Sequence, residues 1–370
     1  MKTIIINGAN GYVASNFINK LLVHKYKVIA LVRASNNCSS RQRMIDALSE
    51  INDGAYLNTK NLTVYSYSLL DDDFSIPKNY LEDIFSGDVD YFHFAASLKF
   101  TLKSKDEIFE TNIGGLENSI KVFSKYAQNS SRFFFIGTAY SCGKISGLFK
   151  EKFYANEDIS KFRNYYELSK RYAENVVKKH IDKNGLNGHV IRLSQVVGDN
   201  KSGVTKTDYG VFDFAKRIHN LAYKYPNKTV RVNVDSNSTQ NLIPIDKVVA
   251  YLMRTVELNK VPVIMNFISK NPIKNIYLIN SISKLLPIRI IPANNIERAD
   301  MDALERLIAV GMSFTGSYNN TNLLFDTRKL DEIILSNGNE ANENTVFKMM
   351  EYFIDNLSEK KKSNVLTPAC

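Results

Sequence analysis

The sequence predicts an α/β fold built on a doubly wound parallel sheet, and three observations lead to this prediction. The first half of the chain alternates short apolar runs rich in Ile, Val and Phe with longer amphipathic segments, which is the pattern of βαβ units. A loop of small residues follows the first apolar run directly. The chain has 370 residues, 44% of them hydrophobic, which is enough for a large core and more than one compact unit.

Six apolar runs are predicted as strands, because each is short and rich in β-branched or aromatic residues. In chain order they are Thr3–Asn7, Lys27–Val32, Leu62–Tyr65, Tyr91–Phe94, Arg132–Ile136 and His189–Leu193. The longer segments between them are predicted as helices. These are Tyr12–His24, Ser40–Ile51, Ile108–Ala127 and Tyr165–Lys183. Strands that alternate with helices in this way predict a Rossmann-type architecture.

The alternation becomes irregular after about Gln195, where loops rich in Gly, Asn, Ser and Asp begin. Helices are again predicted at Ile245–Leu258 and Asn275–Leu285, so a second, smaller domain is expected to be interleaved with the first. The predicted ranges are 1–195 for the Rossmann domain, with 241–268 returning to it, and 196–240 and 269–357 for the smaller C-terminal domain. Residues 358–370 are predicted to form a flexible tail.

Composition excludes several classes of protein. No stretch approaches the roughly 18 apolar residues of a membrane span, and no signal peptide is evident, so the sequence predicts a cytoplasmic protein. Three distant cysteines and five histidines without ligand spacing predict neither a disulfide framework nor a metal site. The lysines and arginines that give the net charge of +10 are scattered along the chain, as general surface charge is. The alternative interpretation is that they bind an acidic partner. No motif for nucleic acid is present, so none is expected as a partner.

The loop Gly8-Ala9-Asn10-Gly11-Tyr12-Val13-Ala14 has the pattern G-x-x-G-x-x-A and opens the first helix. Small residues let the backbone turn sharply and lie against a pyrophosphate, whose charge then meets the N–H groups of the helix start. The alternative is an ordinary strand-to-helix turn, but the position after an N-terminal strand favours the dinucleotide. The predicted cofactor-binding residues of this loop are Gly8, Asn10, Gly11, Tyr12, Val13 and Ala14.

The second strand is followed by Arg33, at the place where an acidic residue would mark an NAD site. Arg43 lies on the next helix, together with Arg41. Guanidinium groups at this end of the sheet would pair with a 2′-phosphate, so Arg33 and Arg43 favour NADPH as the cofactor. The alternative is that they are surface arginines of a basic protein.

A Tyr-x-x-x-Lys pair can transfer a proton, because residues i and i+4 share a helix face and the lysine charge lowers the pKa of the phenol. The spacing occurs three times, at Tyr56/Lys60, Tyr140/Lys144 and Tyr166/Lys170. Tyr56 precedes the third strand, and Tyr140 lies in a glycine-containing loop. Only Tyr166 begins a long helix after the fifth strand, so Tyr166 and Lys170 are the predicted catalytic pair.

Four further residues complete the predicted site. Thr138 ends the fifth strand, where its hydroxyl would orient a reacting carbonyl, and Asn112 lies on a helix that would support a proton path to Lys170. Ala95 and Ala96 follow the fourth strand and leave room for the nicotinamide ribose. Thr138 alone could be a strand-end cap, and Asn112 alone a buried polar group that bends its helix. Their order along the chain favours the catalytic interpretation.

These residues, in this order, resemble the extended short-chain dehydrogenase/reductase family, and more narrowly its thioester-reductase branch, which includes fatty acyl-CoA reductases. The resemblance covers roughly residues 1–265 and rests on Leu31-Val32-Arg33-Ala34, Phe92 to Phe100, Gly137-Thr138-Ala139-Tyr140, Ile191 to Asp199 and Asn241 to Asp246. The sequence departs from the branch at Tyr67-Ser68-Leu69, where Gly-Asp-Leu is usual, at Leu193, where Pro is usual, and at Gly137, where Ser is more frequent.

The resemblance implies transfer of a hydride from NADPH to an acyl thioester on CoA or on an acidic carrier protein, giving an aldehyde and, with a second NADPH, an alcohol. Thr138 and Tyr166 would bind the developing oxyanion, while Lys170 would hold the ribose and Leu193 would contact the cofactor. It also implies that the smaller domain binds substrate, and it allows a homodimer. The alternatives are an NADP-dependent ketone or aldehyde reductase, a nucleotide-sugar epimerase or dehydratase, and a non-catalytic NADP sensor, which often lacks the Tyr/Lys pair.

Overall fold

The computed structural model describes residues 2–52, 54–55, 57–311, 318, 321–334 and 340–366. The strands are β1 (Thr3–Asn7), β2 (Lys27–Val32), β3 (Leu62–Ser66), β4 (Val89–His93), β5 (Arg132–Thr138), β6 (Leu148–Phe149), β7 (Gly188–Leu193), β8 (Gln195–Val197), β9 (Lys228–Asn233), β10 (Thr239–Gln240), β11 (Leu242–Pro244), β12 (Ile264–Phe267), β13 (Ile273–Lys274), β14 (Ile288–Ala293) and β15 (Leu324–Phe325).

The helices within these ranges are α1 (Tyr12–Val23), α2 (Ser40–Ile51), α3 (Lys78–Ile84), α4 (Lys105–Phe109), α5 (Gly115–Tyr126), α6 (Tyr165–Asn184), α7 (Val211–Ala222), α8 (Ile245–Glu257), α9 (Asn275–Leu285), α10 (Ala303–Gly311), α11 (Arg328–Asp331) and α12 (Glu343–Leu366). A π-helical segment, Glu110–Gly114, joins α4 to α5. Among the described residues, no helix combines the length and the apolar character needed to cross a membrane.

A seven-stranded sheet forms the centre of the fold, in the order β12-β7-β5-β4-β1-β2-β3, and each neighbouring pair is parallel. The doubly wound α/β prediction is therefore confirmed. From β1 the chain builds one side of the sheet through β2 and β3, and then the other side through β4, β5 and β7. The order reverses between β1 and β4, and open α/β sheets bind their ligands at the carboxyl ends of such strands.

The chain divides into two compact units, and each is built from three separate segments of the sequence. The first contains Met1–Ser194, Val248–Phe267 and Phe325–Ser336, and the second contains Gln195–Lys247, Ile268–Leu324 and Asn337–Cys370. Two boundaries differ from the prediction. The expected return at residue 241 starts later, because β11 pairs with β8 inside the second unit. The segment Phe325–Ser336 joins the first unit because the buried carboxylate of Glu151 accepts its backbone N–H groups at Lys329 and Leu330.

Aromatic side chains of β4 and β5 fill the core of the first unit. Tyr91 and Phe133 stack with ring centroids 5.2 Å apart, and the ring edge of Phe123 from α5 approaches Phe133 at 5.4 Å. Both faces of a parallel sheet are covered by helices, so its strands carry apolar residues on either side. Burial of each such ring contributes roughly 1.5–3 kcal/mol.

Helices α7, α9 and α12 supply much of the core of the second unit, with Phe212, Ile282, Met349 and Phe353 buried in it. Helix α12 continues to Leu366, so the first nine residues of the predicted flexible tail are helical, and residues 367–370 lie outside the described part. The apolar residues on one side of α12 anchor the helix. Each further helical residue then adds one backbone hydrogen bond, without a new nucleation step.

Candidate active site

The loop from Gly8 to Ala14 lies at the carboxyl end of β1, where the strand order reverses. Gly8 has a φ of +58°, and a Cβ at this position would lie 2.8 Å from the backbone nitrogen of Ala95. Gly11 donates its N–H to the carbonyl of Gly8 at 3.0 Å and precedes α1, whose start has no side-chain cap and no acidic residue in its first turn. The loop is therefore a cradle that fits a diphosphate.

Asn7 fixes the ends of β1 and β4 to each other, a role that the sequence analysis missed. Its Oδ1 accepts the N–H groups of Phe94 at 2.8 Å and Ala95 at 3.0 Å, and its Nδ2 donates to His93 Nδ1 at 2.9 Å. Burial lowers the pKa of His93 to about 3, so the ring stays neutral. The predicted ribose-side residues Ala95 and Ala96 are thus held beside the glycine loop. The available signal was an amide as the last residue before Gly8.

The two predicted arginines lie together at the carboxyl end of β2. Arg33 is exposed and forms no ion pair with any residue in the described ranges. Arg43 is half-buried on α2 and donates a short hydrogen bond from Nη1 to the carbonyl of Arg33. Arg43 therefore fixes the backbone that carries Arg33, and the Arg33 guanidinium stays available for an anion.

Tyr67 occupies the position where the sequence departs from Gly-Asp-Leu, and its hydroxyl accepts the N–H of Gly8 at 3.3 Å. Its ring packs edge-on against Phe74 at 5.6 Å, inside a left-handed turn in which Asp73, Phe74 and Ser75 all have positive φ. Burial raises the pKa of Tyr67 to about 12, so the phenol keeps its proton. The departure from the family pattern places a hydrogen-bonding tyrosine beneath the glycine loop.

Lys170 lies buried beneath the end of β5, one turn after Tyr166 on α6. Its Nζ donates to the carbonyl of Ile136 at 3.2 Å and lies 6.0 Å from the centre of the Tyr166 ring. Asn164 is the N-cap of helix α6, because its side chain accepts the N–H of Glu167 at 2.9 Å. Burial lowers the pKa of Lys170 to about 8, so Lys170 is mainly a cation at neutral pH.

Thr138 and Tyr166 come together beside Lys170. The Thr138 hydroxyl donates to the carbonyl of Leu193 at 3.2 Å and accepts the N–H of Tyr140 at the same distance. Desolvation raises the pKa of Tyr166, while a hydrogen bond with Thr138 opposes that shift. At neutral pH Tyr166 therefore carries a proton that it can donate. The predicted residues Thr138, Tyr166 and Lys170 are brought to one place, and the carbonyl of Leu193 borders it.

The other Tyr-x-x-x-Lys candidates are not comparable. Tyr140 lies in a 3₁₀ turn, Ala139–Cys142, that ends before Lys144, so the two residues share no helix. Tyr56 lies outside the described residues.

Asn112 is buried in the π-helical segment, but its side-chain hydrogen bonds within the described chain do not go to Lys170. Its Oδ1 accepts the N–H of Ser97 at 2.7 Å, and its Nδ2 donates to the hydroxyl of Ser169 at 2.9 Å. Ser169 is the residue before Lys170. Asn112 thus connects the segment after β4 to α6, and the π turn brings its amide to that position.

A buried ion pair between α6 and β7 lies close to the site. Arg192 Nη2 and Glu174 Oε2 are 2.6 Å apart, both side chains are almost completely buried, and Ser141 donates to Glu174 Oε1 at 2.6 Å. The Glu174 charge also opposes the lowering of the Lys170 pKa. In the described part of the chain, no group of three or more His, Cys, Asp or Glu residues could hold a metal ion.

Comparison with known proteins gives one family and several relatives. The profile of the family described as male sterility protein matches residues 6–252. Peramine synthetase A of Epichloe festucae is 28% identical over 218 residues, which are 56% of this chain, and the chain spans 7% of the length of that protein.

Several solved structures share the fold. A thiolation-reductase di-domain from an archaeal non-ribosomal peptide synthetase has a TM-score of 0.75 at 16% identity, over 97% of this chain and 76% of its own. UDP-glucuronic acid 4-epimerase from Bacillus cereus, in complex with UDP-glucuronic acid and NAD, has a TM-score of 0.68 at 14% identity, over 96% of this chain and 99% of its own. At these identities the structures establish the fold alone, because one fold hosts several activities.

Proposed function

We propose, from the premise that the chain belongs to the male sterility protein family, that this extended short-chain oxidoreductase is an NADPH-dependent reductase of acyl thioesters. The observation that carries the proposal is the meeting of Thr138, Tyr166 and Lys170 beside a glycine cradle at the switch point of the sheet. The likeness to a thiolation-reductase di-domain of a non-ribosomal peptide synthetase supports the thioester as the substrate class and a carrier protein as its bearer.

The residues of the chain account for the binding of the dinucleotide. The loop from Gly8 to Ala14 would hold the diphosphate, Ala95 and Ala96 would border the nicotinamide ribose, and Lys170 would bind its hydroxyls. When bound, the dinucleotide supplies the hydride that reduces the carbonyl carbon of the thioester. Leu193, whose carbonyl orients Thr138, would border the nicotinamide.

Proton transfer is the task of Tyr166 and its neighbours. The Thr138 hydroxyl turns its proton from the carbonyl of Leu193 to the thioester oxygen, and Tyr166 donates to the same oxygen, which gains negative charge as its carbon is reduced. Tyr166 then gives this oxygen its proton, and the cationic Lys170 stabilises the phenolate that is left. The reduced centre is a hemithioacetal. Its C–S bond breaks, the hydroxyl proton passes to the sulfur, and an aldehyde and a thiol are released. Reduction of the aldehyde by a second NADPH would use the same groups and give an alcohol.

The proposal is tested by measuring the loss of NADPH absorbance with acyl-CoA thioesters, carrier-bound thioesters, free aldehydes and free ketones. Turnover that depends on a thioester, with aldehyde or alcohol identified as the product, is the expected result. Turnover of free ketones and aldehydes with none of thioesters would reject thioester reduction and assign the chain to the carbonyl reductases.

Replacing Arg33 with Ala is expected to raise the Kd for NADPH about 10- to 100-fold and to leave the Kd for NADH nearly unchanged. The reason is that a charge-assisted pair with the 2′-phosphate is lost, and NADH has no such phosphate. Fluorescence titration with both cofactors measures the effect, with the exposed Arg289→Ala on β14 as the control. An equal rise in the Kd for NADPH and for NADH would show that Arg33 binds a group that the two cofactors share.

Replacing Tyr67 with Phe is expected to raise the Kd for 5′-ADP about five- to tenfold, without changing the melting temperature of the free protein by more than a few degrees. The phenol accepts the Gly8 N–H at 3.3 Å and keeps its own proton for a ligand oxygen, while the ring can still pack on Phe74. Calorimetric titration measures the Kd. The control is Tyr126→Phe, which removes a hydrogen bond to Asp73 in the same left-handed turn. An unchanged Kd in Tyr67→Phe would limit Tyr67 to packing.

A further inference from the structure

The segment Leu98–Lys105, which runs from the loop after β4 to the first residue of α4, exposes apolar side chains next to the catalytic tyrosine. Leu102 is 77% exposed and Leu98 is 42% exposed. Single exposed apolar residues are common on protein surfaces, but two in one short segment beside Tyr166 indicate a surface that a partner covers.

Positive charge accompanies these leucines. The segment contains Lys99, Lys103 and Lys105 and no acidic residue. Lys99 pairs with Glu107 at 2.6 Å, with both side chains about half exposed, and Lys105 lies over the ring of Tyr165 at 5.4 Å. Lys103 is exposed and pairs with no carboxylate of the described chain. Exposed leucines interspersed with lysines are complementary to an acidic protein surface that carries an apolar contact of its own.

The segment also leads directly to the reacting groups. The ring edge of Phe100 meets the ring of Tyr166 with 5.3 Å between centroids. Directly before the segment, Ser97 is held by Asn112, which is bonded in turn to Ser169 on the catalytic helix. A partner seated on Leu98 and Leu102 would therefore be placed next to the position where Tyr166 acts.

We propose that Leu98–Lys105 is the docking surface for an acidic carrier protein that delivers the acyl thioester on its phosphopantetheine arm. This inference rests on the proposed thioester reduction. The arm is long and narrow, so it can enter the site while the protein that bears it stays outside. The phosphate groups of coenzyme A could pair with the lysines, but they would not contact the exposed leucines. The combination of the two residue types selects a protein partner.

The test compares one acyl group on three bearers: an acidic acyl carrier protein, CoA, and the short pantetheine analogue N-acetylcysteamine. In Leu102→Asp, kcat/KM for the carrier-bound thioester is expected to fall at least about tenfold, with the values for CoA and N-acetylcysteamine unchanged. Lys103→Glu is also expected to lower kcat/KM for the carrier-bound thioester. The matched control is Leu307→Asp, at a leucine on α10 that is 52% exposed and belongs to the second unit.

Direct binding separates the docking surface from the chemistry. Fluorescence anisotropy with labelled carrier protein is expected to show a Kd at least about tenfold higher for Leu102→Asp than for the unmodified chain. An equal loss of turnover on all three bearers would overturn the proposal, because the segment would then act through Tyr166 alone. Unchanged carrier binding in Leu102→Asp, or no carrier binding by the unmodified chain, would also overturn it. Normal carrier binding without turnover of any thioester would instead reject the proposed function and leave the docking surface standing.

Discussion

Replacing Tyr166 with Phe is expected to reduce kcat for thioester reduction at least about 100-fold and to leave the Kd for NADPH within about twofold. Loss of a positioned general acid typically costs 10²- to 10⁴-fold in rate. The substituted ring can keep its contacts with Phe100 and Lys170, and the glycine cradle is formed by other residues. The phenolic proton and its hydrogen bond with Thr138 are what the variant lacks. Steady-state kinetics at saturating substrate measures kcat, and fluorescence titration measures the Kd for NADPH.

The matched control is Tyr172→Phe, on the same helix. The hydroxyl of Tyr172 donates to the carbonyl of Glu157 at 3.4 Å, and its ring lies near Phe109. We expect kcat of this variant to be close to that of the unmodified chain. If Tyr166→Phe kept more than about half of the activity, proton donation would have to come from another group, and the mechanism proposed above would be wrong.

Replacing Glu174 with Gln is expected to lower the free energy of unfolding of the first unit by about 3–5 kcal/mol, because the buried charge of Arg192 loses its counter-charge. Gln keeps the size of the side chain and can still bond with Ser141, so the loss reports charge and not a cavity. Urea unfolding, followed by the fluorescence of a probe in the first unit, measures the effect.

Two further variants test this interpretation of the buried pair. Asp213→Asn breaks the ion pair with Arg217, which is exposed, and it should cost no more than about 1 kcal/mol. The double replacement Glu174→Leu with Arg192→Met removes both buried charges and should recover much of the stability. A Glu174→Gln variant as stable as the unmodified chain would mean that the protein relaxes around the free guanidinium.

Local signals were sufficient for the strands and for the choice of Tyr166 and Lys170 as the candidate pair. The strands β1 to β5 and β7 have apolar, β-branched or aromatic sequences bounded by polar turns, and all were predicted within two residues of their ends. Tyr166 and Lys170 could be chosen over two other pairs because a helix start is recognisable from its sequence. Asn164 is such a start, with Glu167 three residues later.

Contacts between distant parts of the chain could not be predicted in this way. Asn7 forms hydrogen bonds with backbone N–H groups 87 and 88 positions later in the chain, and Tyr67 forms one with Gly8, 59 positions earlier. Nothing near these residues in the sequence indicates their partners, because the sheet order brings them together. Asn112 was placed correctly on a helix beside the site, but the π turn that orients its amide has no reliable sequence signal.

The route of the chain through the first unit determines when this unit can be completed during synthesis. Edge strand β12 leaves the ribosome after Gln195–Lys247 of the second unit, and the segment Phe325–Ser336 leaves it after most of the second unit has emerged. Until β12 arrives, β7 is an open edge of the growing sheet, and open edges pair with other chains. A nascent chain that stops near residue 194 would therefore be prone to aggregate. The first unit therefore gains its last part only when residue 336 has emerged, and a shortened gene for this unit would have to extend to that residue to encode all of its parts.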